Sequence, residues 1–299
     1  MQNLLSPLSL KGLPLANRVV MAPMTRARSP QGIPDELTTT YYRQRASAGL
    51  LITEGVPVSE QGTGYLYTPG IYRGEQVSAW KAVTDNVHAE QGKIVAQLWH
   101  VGRVSHRSIQ PNAQPPVSSV ALAGGQAFAY DAQGNPGNIP ASEPQALDES
   151  GITDIVDQFR VAARHAMQAG FDGVEIHAAN GYLLEQFINP KLNKRDDRYG
   201  GQSLESRSRF TLEVVDAVCA EIGAEKVGIR LSPYNQIGDM PLFDDTPQTY
   251  LYLAEQLNQR DIAYIHLALT EKVHQTSLLS DFRERWHGVL ILAGGISAE

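Results

Sequence analysis

Short apolar runs alternate along the chain with longer stretches in which apolar residues recur every three or four positions. Val19 to Ala22, Leu50 to Thr53, Ile94 to Leu98, Gly173 to His177, Val227 to Leu231, Tyr264 to Leu267 and Val289 to Ala293 have the length and composition of buried strands. Thr38 to Ala48, Gln76 to Gln91, Gly151 to Gly170, Leu204 to Ile222 and Thr246 to Gln259 carry helical spacing. Gln275 to Trp286 fits neither pattern cleanly. Repeated strand–helix units predict parallel strands with helices outside. Alternating leucines at Leu8, Leu10, Leu13 and Leu15 predict a small hairpin or turn suited to plugging the floor of a barrel. The expected fold is α/β, a (β/α)8 TIM barrel with only seven strands evident.

No linker composition divides residues 1–299, so one domain is expected. Glycine, proline and polar residues crowd an excursion after the third strand, at about 101–150, and functional excursions are common at the C-terminal ends of barrel strands. The competing doubly wound sheet would be favoured by G-x-G-x-x-G after an early strand, and none occurs there. Gly294-Gly295 directly follows the last strand. Such a pair lets backbone N–H groups approach an anion, or simply makes a tight turn. Seven strands would leave two raw edges facing a gap. Gly295-Ile296-Ser297-Ala298-Glu299 reads as the start of a helix, so either the strand count is short or the polypeptide is incomplete.

Apolar content of 42% and charged content of 19% over 299 residues fit a soluble globular chain. The net charge of -7 gives no basic face for nucleic acid. The single cysteine, Cys219, sits in an apolar helical run as a buried small side chain and excludes an internal disulfide. No run approaches the length of a membrane span, and no secretory signal opens the sequence, so the cytoplasm is expected.

Polar residues recur at strand ends: Thr25, Glu54, Gln97, His100, His177, Asn180 and Arg230. Their repetition on neighbouring strands points to one site above the barrel. His177 and Asn180 suit two hydrogen bonds to one oxygen on which charge develops. Tyr182 carries a phenol that stays protonated and can give its proton to a strong base. A metal between His100 and His177 is disfavoured, because no carboxylate or cysteine completes a first shell and H-E-x-x-H is absent. G-x-S-x-G is absent too. None of these groups moves electrons, so the chemistry calls for a redox cofactor. Arg230, inside an apolar strand, needs an anion: an internal carboxylate or a ring that becomes anionic on reduction. Gln97 can offer a donor and an acceptor side by side, the complement of an imide edge.

The motifs Asn17-Arg18 with Ala22-Pro23-Met24-Thr25-Arg26, Gln97-Leu98-Trp99-His100-Val101-Gly102-Arg103, Glu175 to Phe187, Asn193-Lys194-Arg195 through Gly200-Gly201, and Ile229 to Pro233 together resemble the Old Yellow Enzyme family of FMN-dependent ene-reductases, in its bacterial N-ethylmaleimide and nitroester reductase branch. The resemblance runs from residue 4 to 297. It implies that Thr25 meets the flavin O4, that Pro23, Met24 and Gly55 line the ring, and that Gln97 holds its pyrimidine edge. Arg230 would lie at the N1–O2 edge and Gly294-Gly295 near the phosphate. Tyr65 and Trp99 would shape the substrate pocket, with His177 and Asn180 on the substrate oxygen and Tyr182 as proton donor; no metal is implied. The implied reaction is NADPH-dependent reduction of the C=C bond of α,β-unsaturated carbonyl compounds by hydride from FMN N5, with nitroesters as further substrates.

Two departures qualify it. After Gly201 the family reads S-x-E-N-R, whereas this chain has Gln202-Ser203-Leu204-Glu205-Ser206-Arg207, which bears on a helix start. The family also continues into an eighth strand, a glycine–arginine pair at the FMN phosphate and a C-terminal aromatic. The alternative expectation is therefore a non-catalytic fragment, or one that needs a complementary C-terminal piece or self-association, with weak or no FMN binding.

Overall fold

The computed structural model describes residues 3–295; the helix start expected over 296–299 lies outside them. The chain opens with the antiparallel hairpin of β1 (Leu8–Leu10) and β2 (Leu13–Leu15). Then come β3 (Val20–Met21), α1 (Glu36–Arg43), β4 (Leu50–Pro57), α2 (Gly74–Ala89) and β5 (Ile94–Trp99). The excursion carries β6 (Val117–Ser118), β7 (Gln126–Tyr130), β8 (Pro136–Pro140) and β9 (Gln145–Ala146). After it follow α3 (Glu149–Gln168), β10 (Gly173–Ala178), α4 (Leu183–Ile188), α5 (Leu204–Ile222), β11 (Val227–Leu231) and α6 (Thr246–Gln259). The described chain finishes with β12 (Tyr264–Ala268), α7 (Glu271–His274), α8 (Leu278–Arg285) and β13 (Val289–Ala293).

Strands β3, β4, β5, β10, β11, β12 and β13 form one seven-stranded sheet in chain order, every neighbouring pair parallel. This is the α/β sheet of a nearly closed TIM barrel. Among the described residues β3 and β13 each pair on one side only.

Alternation along the strands sorts the side chains. Val174, Ile176 and Ala178 of β10 share an apolar cluster with Phe159 of α3 and Phe210 and Val214 of α5. Leu10 and Leu15 of the hairpin pack with Leu50, Ile52, Val95, Ala263 and Tyr264, so the leucine hairpin does close the floor. Tyr264 fits there because residue 228 has no side chain: a Cβ at Gly228 would lie 2.2 Å from the Tyr264 ring.

Local chemistry sets the helix starts. Asp35 accepts from Thr38 N (2.8 Å) ahead of α1, and Asp148 from Gly151 N (2.7 Å) at α3. Ser203 and Ser206 bond reciprocally (3.1 Å each way) ahead of α5, so the altered motif after Gly201 falls in a helix cap. Several boundaries differ from the pattern. β4 runs on to Pro57 with a register shift between Ile52 and Gly55, so Glu54 lies in the strand rather than after it. The stretch 275–286 resolves into the end of a turn and α8, and α1 stops at Arg43 because turns carry the chain to β4. Cys219 is half-buried rather than buried, and burial pushes its thiol up to about 12. Among the described residues no helix is long and apolar enough to cross a membrane.

Gly228→Ala should lower stability by about 1–3 kcal/mol, the range for overpacking a filled core. Urea unfolding of the two proteins checks this; equal midpoints would show that the Tyr264 ring can move aside.

Candidate active site

The C-terminal ends of the barrel strands surround a pocket lined by Pro23, Thr25, Gly55, Gln97, Trp99, His177, Asn180, Tyr182 and Arg230. Nine of the expected site residues thus meet in one place. Met24 does not line it and is 48% exposed. Gly294 and Gly295 are exposed at the end of β13, with φ of 103° and 63°, conformations that glycine adopts without strain. Two strand-end residues belong elsewhere. Glu54 turns away from the pocket and accepts from Arg26 N (2.9 Å) and Ala27 N (3.3 Å) beside Tyr41. His100 is buried, with Nδ1 accepting from Gly102 N (3.1 Å). Burial holds it down at about 3, so it is a neutral packing residue.

Beneath the pocket lies a residue that pattern reading passed over. Glu175 sits two positions before His177 on the same strand face, fully buried. Its Oε1 accepts from Gln97 Nε2 (2.7 Å), and its Oε2 lies 3.0 Å from His266 Nδ1. Burial raises the Glu175 carboxyl, but His266, Arg230 and the Gln97 bond together outweigh it and leave it below its ordinary value. His266 was missed for the same reason: both are polar residues inside apolar strands, and only the register brings them together.

Arg230 lies beside His177 in the β10–β11 register. Burial lowers its guanidinium, Glu175 opposes this, and its buried Nε has no partner. Burial, then Arg230 and His266, hold His177 well below its usual range. The ring is neutral; Nδ1 accepts from Ala179 N (3.3 Å), which leaves the proton on Nε2 as a donor. Asn180 adopts φ 57°, and its N donates to Ser232 Oγ (2.8 Å), while its carboxamide has no hydrogen bond among the described residues. Gly181, at φ 81°, packs so tightly that a Cβ would lie 2.2 Å from Ile237 O.

An aromatic wall completes the site. Tyr65 stacks on Trp99 at 5.4 Å, and Tyr182 meets Trp99 edge-on at 4.8 Å and His177 at 5.0 Å. The hydroxyls of Tyr65 and Tyr182 are 3.1 Å apart. Burial, then Tyr65, push the Tyr182 phenol well above 10, so it is protonated. Trp99 reaches this position because Gly55 faces it: a Cβ there would lie 2.1 Å from the indole. The excursion holds the wall in place, since Leu66 N donates to Phe128 O (2.8 Å) on β7. The buried Arg103 guanidinium ties it down further, donating to Leu122 O (3.3 Å) and Gly238 O (2.9 Å).

A parallel barrel whose strand ends gather neutral donors, a protonated phenol and a buried guanidinium with a free Nε is an architecture suited to holding a cofactor. Residues 3–299 match the NADH:flavin oxidoreductase / NADH oxidase family. The chain belongs to that family of flavin-dependent oxidoreductases, which is that of Old Yellow Enzyme. It is 44% identical over 305 residues to a putative 12-oxophytodienoate reductase 11 of Oryza sativa subsp. japonica, covering 99% of this chain and 81% of the relative. It is 43% identical over 305 residues to 12-oxophytodienoate reductase 2 of Arabidopsis thaliana, covering 99% and 80%. The solved structure of morphinone reductase superposes with a TM-score of 0.94 at 44% identity, covering 99% of this chain and 81% of that one. The Old Yellow Enzyme homologue from Zymomonas mobilis gives 0.91 at 36% identity, covering 99% and 83%.

Glu175→Leu should cost about 3–5 kcal/mol, because it strands Gln97 and His266 and leaves Arg230 without its carboxylate. The folded Glu175 carboxyl lies below its unfolded value, so its stabilisation is present above about pH 4.5 and is lost as pH falls through the folded value. Unfolding curves of both proteins at neutral and acid pH test this. A difference unchanged or larger in acid would contradict the charge pairing.

Proposed function

We propose that the chain is an FMN-dependent ene-reductase, reduced by NADPH, that saturates the C=C bond of α,β-unsaturated carbonyl compounds. The carrying observation is the juxtaposition of the neutral His177 donor, the free Asn180 carboxamide and the protonated Tyr182 around one pocket. The residues present fit a flavin. The buried Arg230 Nε lacks a partner, as a cation awaiting an electron-rich ring edge would. Glu175 engages one Gln97 N–H and leaves the other, with the amide oxygen, for an imide edge. Thr25 and Pro23 line the same pocket, and Met24, Gly294 and Gly295 would belong to the outer cradle.

Bound FMN supplies the hydride. His177 and Asn180 hold the carbonyl oxygen and stabilise negative charge that grows there. His177 suits this as a neutral donor, since the buried Arg230 beside it makes a second positive charge costly. Tyr182 gives its proton to the α-carbon, and the low acidity of its buried phenol prevents loss of that proton at rest. Tyr65 keeps the Tyr182 hydroxyl in place, and Trp99 bounds the substrate. The oxygen clamp would serve a nitroester equally. Relatives named as oxophytodienoate and morphinone reductases, one of them solved with tetrahydroNAD, support a conjugated enone and a nicotinamide as the two reactants.

Among the described residues β3 and β13 each pair on one side only, which favours a second reading, in which firm FMN binding needs a further strand from another segment or copy. Native mass with flavin stoichiometry separates the two. A yellow protein with one FMN per chain supports the first; a colourless chain that gains flavin only on association supports the second.

Tyr182→Phe should slow alkene reduction by about 10²–10⁴-fold, the usual worth of a positioned acid. Flavin reduction by NADPH should be nearly unchanged. Stopped-flow absorbance resolves the half-reactions, and equal loss in both would remove Tyr182 from the proton-donor role.

A further inference from the structure

We propose that Glu185 is a positioning residue whose carboxylate fixes the Asn180–Tyr182 loop in its working geometry. The inference rests on the reading of His177, Asn180 and Tyr182 as the reacting site. Glu185 is buried on α4 and lies outside the pocket lining. Four donors from three directions converge on it. Gly181 N donates to Oε2 (2.5 Å), as does Asn235 Nδ2 (3.2 Å). Ser232 Oγ (2.8 Å) and the Tyr250 hydroxyl (2.9 Å) donate to Oε1. Ser232 Oγ in turn accepts from Asn180 N (2.8 Å). One carboxylate therefore holds the amide of Gly181 directly and that of Asn180 through a hydroxyl. Both have positive φ, 57° at Asn180 and 81° at Gly181; Asn180 is half of the proposed clamp, and Gly181 joins it to the proton donor Tyr182. The Tyr182 N-cap makes no side-chain bond of its own to α4; Gln186 Nε2 holds the carbonyl of Gly181 (2.8 Å), and Glu185 is the group that takes up the loop's amides.

The arrangement needs an acceptor-only group. An ionised carboxylate satisfies all four donors, whereas a protonated one must give up an acceptor site. Burial raises this carboxyl to about 7 although the four donors pull it down. From α6 the facing titratable group is Tyr250, itself held well above 10 by burial and by Glu185. From the loop after β11 come Ser232 and Asn235, and from the loop after β10 the Gly181 amide. Among the described residues no cation pairs with the carboxylate. The anchor should therefore tighten as pH rises through neutrality. Stability should move the other way. A carboxyl whose folded value exceeds its unfolded one binds more protons when folded, so it subtracts stability as pH rises from about 4.5 to about 7. Activity that rises while stability falls separates positioning from mere structural support.

The test uses the full chain and Glu185→Gln. Without flavin, amide exchange of the peptide over 179–186 at pH 8 should be at least 10-fold faster in E185Q, as expected when a protecting acceptor is lost. Exchange within two-fold of wild type overturns the proposal. With flavin, kcat for 2-cyclohexen-1-one should fall by about 10–100-fold, the scale of a small misplacement of reacting groups. The wild-type rise in kcat near pH 7 should disappear. Tyr250→Phe, which removes one donor far from the pocket, should keep the rise but move it to higher pH. An unchanged rise in both variants overturns the proposal. If wild type takes up no flavin, the functional reading has failed, and the exchange experiment still decides the anchor. Should E185Q not fold, Tyr250→Phe and Ser232→Ala carry the same comparison.

Discussion

The buried carboxylate of Glu175 is the constraint from which the rest of the site follows. It stands on β10 in the middle of the barrel, with Gln97 of β5 on one side and Arg230 and His266 of β11 and β12 on the other. A bare carboxylate there would be costly to bury, and a bare guanidinium equally so. The four strands therefore share one polar layer in which each member is tolerable only because of the others. Below it the interior is apolar down to Leu10 and Leu15. Above it the pocket is lined by hydrogen-bonding side chains and aromatics, with Pro23 and Gly55 between them. The charge compensation thus divides the barrel into an apolar floor and a polar, aromatic rim.

Burial, with a contribution from that layer, sets the protonation states above it. Burial first, and then Arg230 beside it, keep the His177 imidazole neutral, so that it donates without carrying charge. Tyr182 is pressed among Trp99, His177 and Tyr65, and burial keeps its proton in place. These are opposite demands, a base that must not protonate and an acid that must not ionise, and burial meets both. Gly55 and Gly181 make the close packing possible, since a methyl group at either would collide with Trp99 or with Ile237 O.

Much of this was legible in the residues. The seven strands, the floor hairpin and the excursion follow from alternation and punctuation, and β11 and β13 match their expected limits. The pocket residues were found because polar side chains at successive strand ends must converge in a barrel. What escaped notice depends on register or on partners distant in the chain. Helix α4 is six residues long and wholly buried, so it has no amphipathic period to read. Glu54 sits at a strand end in sequence, but the shift between Ile52 and Gly55 turns it out of the site. His100 looks like His177 in sequence, and its burial without a facing charge makes it a packing residue. His266 and Glu175 become a pair only when β10 and β12 are placed on either side of β11.

Two glutamates ten residues apart show why residue type alone does not fix chemistry. Both are buried, and both accept short hydrogen bonds. Glu175 faces an imidazole and a guanidinium, and its carboxyl falls below the ordinary value. Glu185 faces an amide N–H, two hydroxyls and a carboxamide, and its carboxyl rises to about 7. Dipoles stabilise a buried anion less than full charges do, so four of them leave Glu185 near balance at neutral pH. Glu175 is thus held toward its ionised form and suited to bearing a fold. Glu185 is poised, and it stands under the segment Asn180 to Tyr182, whose backbone holds two consecutive positive φ values at Asn180 and Gly181. A permanently charged group in that position would need a buried cation beside it, and such a cation would lower the acidity barrier of the neighbouring phenol. An anchor built from neutral donors avoids that conflict, at the cost of a hold on the loop that depends on pH.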